Sequence, residues 1–173
     1  MKTLKVVGIL CVALAANISY ADPPVHEPYT GSSEFERMKQ LAGTWHGTHV
    51  MQGKEHQVTV TYQITSAGSA LVERHFPDTP NEMVSVYHDD DGRLSMTHYC
   101  ALKNQPVLGL KSATDNSIAL DYIDGHNIDP AKDSHMHSLT ISFVDDDHVV
   151  ENWAMLIEGK PVEDEPISLT RVK

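Results

Sequence analysis

The chain has 173 residues, 24 of them acidic, 13 basic and 11 histidine, with a net charge of −11 when the histidines are neutral. That length supports one domain with a real core or an enclosed cavity. An acidic chain repels phosphate backbones and anionic membranes, and sparse aromatics with scattered basic residues offer no stacking platform, so no nucleic-acid partner is expected.

Lys2 and Lys5 precede an unbroken apolar run from Val6 to Ala16, and Ser19-Tyr20-Ala21 places small residues at −3 and −1 of a cleavage site. This pattern predicts a signal peptide over residues 1–21 and an exported protein, periplasmic or secreted. The run is about half of the roughly 20 residues that span a bilayer, so no stable membrane insertion is expected. Leu10 stands before Cys11 where lipid attachment needs a small residue. After cleavage Cys100 is the sole cysteine in a setting that favours disulfides. It is then buried, liganded, reactive, or paired between molecules.

Residues 22–32, with three prolines and a glycine, read as a disordered leader. The domain then runs over residues 33–173. Ser33 as N-cap with Glu36 as its capping-box partner predicts a short helix. Phe35, Met38 and Leu41 form its apolar face, and Gly43 stops it. Val58, Val60, Tyr62 and Ile64 alternate with Thr59, Thr61 and Gln63, the cleanest strand signal in the chain. Similar strands are expected near 45–51, 70–76, 83–88, 93–100, 107–111, 118–122, 136–144, 148–157 and 167–172. Turn residues such as Asp91-Gly92 and Glu158-Gly159 separate them. The rhythm predicts an all-β closed antiparallel meander barrel of about ten strands with one short N-terminal helix. Only Ile123 to Ser134 interrupts it, as a longer polar loop and a candidate lid.

Gly43-Thr44-Trp45 opening the first strand, with Leu169-Thr170-Arg171 closing the last, resembles the lipocalin-like (calycin) barrels. The resemblance implies that Trp45 packs near Arg171 at one closed barrel end, where a guanidinium can stack on an indole. The longer run Gly43-Thr44-Trp45-His46-Gly47 is similar to nitrobindin-like barrels, which bind heme through a histidine near the C-terminus. Here Ile167 to Lys173 holds no histidine, and the nearest upstream is His148. The His98-Tyr99-Cys100 and Asn104-Gln105-Pro106 segments resemble a family of small exported bacterial lipocalin-like proteins of unassigned activity.

Strand periodicity points Met96, His98 and Cys100 one way and Thr97 and Tyr99 the other. His135 and His137 repeat the spacing. Imidazole and thiolate are ligands for transition metals, and residues at i and i+2 lie about 7 Å apart, so His98, Cys100, His135 and His137 are candidate ligands for a metal or heme. A histidine acid–base site, with Cys100 as a nucleophile if His137 approaches it, is the weaker use of the same residues. The simpler alternative makes His98 a hydrogen-bonded core residue, Cys100 an inert small hydrophobe, and the other two histidines wet. The Asn104 and Gln105 amides are candidate ligand contacts, or parts of an ordinary connection. Glu73 and Glu151 stand alone in apolar strands. Facing inward they would be a proton-transfer pair with raised pKa; otherwise one pairs with Arg74 or faces water.

Barrels of this size enclose a cavity, and such cavities hold small apolar or amphipathic molecules. The leading expectation is therefore an exported binding protein with a His/Cys pocket lined by Met83, Met96, Met136 and Met155. The alternatives are a metal- or heme-binding barrel and a small isomerase, cyclase or hydrolase.

Overall fold

The computed structural model describes residues 25–163 and 165–173, except residue 52, so the expected signal peptide lies outside the described residues. Helix α1 (Ser33–Lys39) precedes β1 (Gly43–Met51), β2 (Lys54–Thr65), β3 (Ala70–His75), β4 (Met83–Asp90) and β5 (Arg93–Tyr99). Then follow β6 (Gln105–Thr114), β7 (Ser117–His126), β8 (His135–Phe143), β9 (His148–Ile157), β10 (Lys160–Glu163) and β11 (Ile167–Arg171). Successive strands β1 to β9 pair antiparallel, and β9–β11 and β11–β1 pairings close the ring. β10 continues the stave of β11 along the same edge of β9, which gives a closed ten-stave meander barrel. The tight hairpins Asp91-Gly92 (φ 48° and 76°) and Glu158-Gly159 (φ 50° and 73°) use the positive φ values that match strand twist. Among the described residues, no helix is long and apolar enough to cross a membrane.

The helix cap falls one residue earlier than its sequence signal. Ser32, rather than Ser33, accepts the Phe35 N–H at 3.1 Å. Asp89 selects it by accepting both the Ser32 backbone N–H and its hydroxyl at 2.7 Å. Glu36 then accepts the Gly31 N–H at 2.8 Å. Tyr29 N–H also donates to the Ala67 carbonyl at 2.8 Å, so the end of the expected leader is fastened to the barrel.

Two connections are shorter than the sequence rhythm suggests. Gln105 and Pro106 belong to β6, and Ile123 to His126 to β7, where Gln105 pairs with His126 and Pro106 with Gly125. Their polarity follows from position: β7 pairs β8 only as far as Asp121, so this ribbon extends past the barrel wall. Pro106 is tolerated because the β5–β6 pairing has ended at Val107. The remaining loop covers 127–134.

At the helix end, buried Trp45 donates its indole N–H to the Leu41 carbonyl at 2.8 Å. The Arg171 guanidinium lies 4.2 Å above the Trp45 ring centre and donates to the Ala42 and Gln40 carbonyls, both at 2.8 Å. Those carbonyls follow the last helical turn and would otherwise lack partners. Gly47 allows this closure, since a Cβ there would lie 2.1 Å from the Ser168 carbonyl oxygen. Arg171→Ala should therefore lower the unfolding free energy by about 1.5–3 kcal/mol in urea denaturation, and Arg171→Lys should recover little of it because an ammonium lacks the fork. An unchanged midpoint for the alanine variant would remove this role.

Candidate functional site

Strand register alone builds the centre of the barrel. Tyr62 pairs with Glu73, Glu73 with Ser85, and Ser85 with His98, so four polar side chains on β2, β3, β4 and β5 form one inward-facing rung. The next rung toward the helix, Leu71, Tyr87, Met96 and Leu108, is fully buried. Glu151 on β9 reaches the polar rung from across the barrel. Both glutamates are 0% exposed.

The cluster is densely bonded. Tyr62 Oη lies 2.7 Å from Glu73 Oε1 and 2.6 Å from Glu151 Oε1. His75 Nε2 is 3.1 Å from Glu73 Oε1 and 3.1 Å from Glu151 Oε2. Tyr87 donates to Glu73 Oε2 at 3.0 Å, and the Trp153 indole N–H to Glu151 Oε2 at 3.3 Å. Tyr62 and His75 thus each spread one hydrogen over two carboxyl groups.

Burial alone would discharge these groups, but their partners oppose it. For Glu73 burial pushes upward, yet the His75 charge and hydrogen bonds from His75, Ser85 and Tyr62 outweigh it and hold the carboxyl at about 2. This is opposite to the raised pKa expected for an inward-facing acid pair, because the partner is a cation. Burial likewise presses His75 toward neutrality, but Glu151 and Glu73 raise it to about 10. His98 is dominated by burial, which lowers it to about 4, with Glu73 raising and His75 lowering it further. At neutral pH the centre holds an ion pair between Glu73 and protonated His75, beside a neutral His98. Arg74 points away and pairs with Glu82 at 2.8 Å.

Above this rung, at the end opposite α1, lies a cavity of about 220 Å³. Met83, Met136, Met155, Trp153 and Ile167 supply much of its apolar wall. Met96 belongs to the rung below. His75 and His98 line the cavity, as do His49 and Cys100. His98 is 2% exposed. Its Nδ1 lies 3.0 Å from Ser85 Oγ, while Nε2 is buried without a hydrogen-bond partner.

The residues singled out from sequence separate into three places. His98 and Cys100 share the cavity, and burial raises the Cys100 thiol, which keeps it protonated and unreactive. His137 stacks on Tyr122 with ring centres 5.7 Å apart, His135 packs tilted against the same ring at 4.6 Å, and neither lines the cavity. His137 is the extra residue of a bulge between Met136 and Ser138, so Met136 turns inward between the two histidines. His135 Nδ1–H donates to the Asp133 carbonyl at 2.9 Å, and its Nε2 is 3.4 Å from His137 Nδ1. Asn104 donates to the Ser134 carbonyl at 2.9 Å, and Gln105 accepts from Asn127 at 2.7 Å, fastening the 100–104 turn to the 127–134 loop.

Among the described residues, the histidine, cysteine and acidic side chains that converge within 4.8 Å are Glu73, His75 and Glu151. His98, Cys100, His135 and His137 do not form such a group. Glu73, His75 and Glu151 are the set that could hold an ion, although Tyr62, Tyr87 and Trp153 already occupy the same oxygens. A heme does not fit. The cavity is smaller than the roughly 300–1,000 Å³ pockets of drug-sized ligands. The last strand also offers no histidine.

Sequence periodicity missed His75. The signal was present in Leu71, Glu73 and His75, which share one face of a short strand, and in Tyr62 on the inward face of the next. No protein-family model matches the chain, and no curated protein matches it significantly in sequence.

Proposed function

We propose that this is an exported lipocalin-like binding protein that holds one small, mostly apolar molecule in the cavity at the open end of the barrel. The observation that carries it is a cavity of about 220 Å³ with a methionine-rich wall and one buried, unpartnered imidazole nitrogen. An apolar cavity of about 150 Å³ accommodates benzene, and drug-sized ligands need about 300 Å³ or more. The occupant is therefore a one- or two-ring molecule or a short branched chain. The methionines adapt to irregular apolar shapes. Export is supported by the charged, apolar and small-residue segments of residues 1–21.

Trp153 lines the cavity and Trp45 lies at the other end, so intrinsic fluorescence reports on ligand entry. Titration with 4-ethylphenol should give a saturable change that is absent in Met136→Trp, where a larger side chain fills the space. Equal responses in both proteins would overturn binding in this cavity. An intact mass beginning at Asp22 for protein recovered from its export compartment tests the signal peptide, and a mass retaining Met1–Ala21 would refute it.

A further inference from the structure

Below the cavity, the polar rung has a direction. The Glu73 carboxylate is acceptor-only; it takes hydrogen bonds from Tyr62 and Tyr87, and Ser85 stands opposite it on the same inward-facing rung. A serine hydroxyl carries one hydrogen. With that hydrogen turned toward Glu73, Ser85 Oγ meets His98 Nδ1 at 3.0 Å as an acceptor, so Nδ1 is the protonated nitrogen of His98. Electrostatics reinforces the order, because both dipoles then turn their positive ends toward the buried carboxylates. A neutral imidazole protonated at Nδ1 carries a lone pair at Nε2. That lone pair belongs to a residue 2% exposed, lining the cavity, with no hydrogen-bond partner. Leaving it unsatisfied costs about 1–3 kcal/mol, which a ligand can relieve.

Resting on the binding function proposed above, we infer that His98 Nε2 selects ligands presenting a hydrogen-bond donor: an alcohol, a phenol or a heteroaromatic N–H, in preference to ketones, ethers and carboxylates. A carbonyl or ether oxygen would bring one lone pair against another. A carboxylate, which has only acceptor oxygens, would do the same. The polar rung thus works as a positioning device: Glu73 sets Ser85, Ser85 sets the His98 tautomer, and His98 reads the ligand.

Indole and benzofuran share size and shape but differ in one group, an N–H donor against a ring oxygen. A featureless apolar cavity would favour benzofuran, the less polar of the two. Calorimetric titration of the mature protein is expected to show indole binding about tenfold more tightly or better. His98→Phe, which keeps a ring but has no lone pair, should abolish or reverse that preference. Ser85→Ala should reduce it by freeing the tautomer, with the cavity unchanged in size. Equal affinities, or tighter benzofuran, would overturn the inference while leaving the cavity as a binding site. Failure of both probes to bind would overturn the binding function itself. The comparison in the unaltered protein decides even if His98→Phe does not fold.

Discussion

Glu73→Ala is expected to lower the free energy of unfolding by about 3–5 kcal/mol, a large part of the roughly 5–15 kcal/mol typical of a domain. Alanine removes the acceptor for Tyr62, Tyr87 and His75 together, at a site with no solvent to replace it. The protonated His75 would then depend on Glu151 alone, at 3.1 Å. The cost comes from stranding these partners rather than from any large favourable energy of the ion pair itself, since taking two charges out of water nearly cancels their attraction. The double variant Glu73→Leu, His75→Leu should accordingly be more stable than Glu73→Ala, although it alters more residues. Urea denaturation of the two variants and the unaltered protein measures this. A double variant less stable than the single one would show that the ion pair contributes stability of its own, contrary to this account.

The barrel was legible because its information is local. Val58, Val60 and Tyr62 face inward and are buried, as their alternation implies, and the turn residues at Asp91-Gly92 and Glu158-Gly159 end strands where expected. Trp45 and Arg171 meet as the resemblance implies, although their identity says nothing about what the other end holds. The site was only partly legible. His98 and Cys100 share the cavity because β5 runs without a bulge as far as Tyr99. His135 and His137 do not, because one extra residue in β8 redirects everything N-terminal to it, and no single-sequence signal marks that bulge. Glu73 and Glu151 stood out as acids in apolar strands, but their meeting depends on register around the whole ring. β3 reaches β9 only through the closing pairs of β11 and β1, or the long way round through β8. The same dependence hid the role of His75. An imidazole next to one carboxylate on a strand is common; one placed between two buried carboxylates is a product of barrel closure.

Stability should pass through a maximum near pH 6.5 and fall on both sides, a profile set mainly by His75, His98 and Glu73. On the alkaline side, an unfolded His75 releases its proton near 6.5, whereas the folded protein retains it to about 10. The folded state therefore binds more protons in that interval, and stability falls with rising pH by up to about 1.4 kcal/mol per pH unit. Tyr62 and Tyr87, raised well above 10 by burial and the neighbouring carboxylates, steepen the loss at higher pH. On the acid side the signs reverse. An unfolded His98 takes up a proton near 6.5, but the buried residue resists until about 4, so stability falls as pH drops through that range. Glu73 adds a further loss below 4.5, where the unfolded carboxyl is protonated and the folded one remains ionised to about 2. Urea midpoints measured from pH 4 to 10 should trace this dome. His98→Phe should flatten the limb between pH 6.5 and 4.5 while leaving the alkaline limb in place. Glu73→Gln should instead shorten the alkaline limb, because His75 loses one of its two anionic partners. A profile flat between pH 6.5 and 9 in the unaltered protein would mean that His75 is not held as a cation, and the charge assignment of the whole cluster would have to be redrawn with a neutral imidazole between a carboxylate and a carboxylic acid.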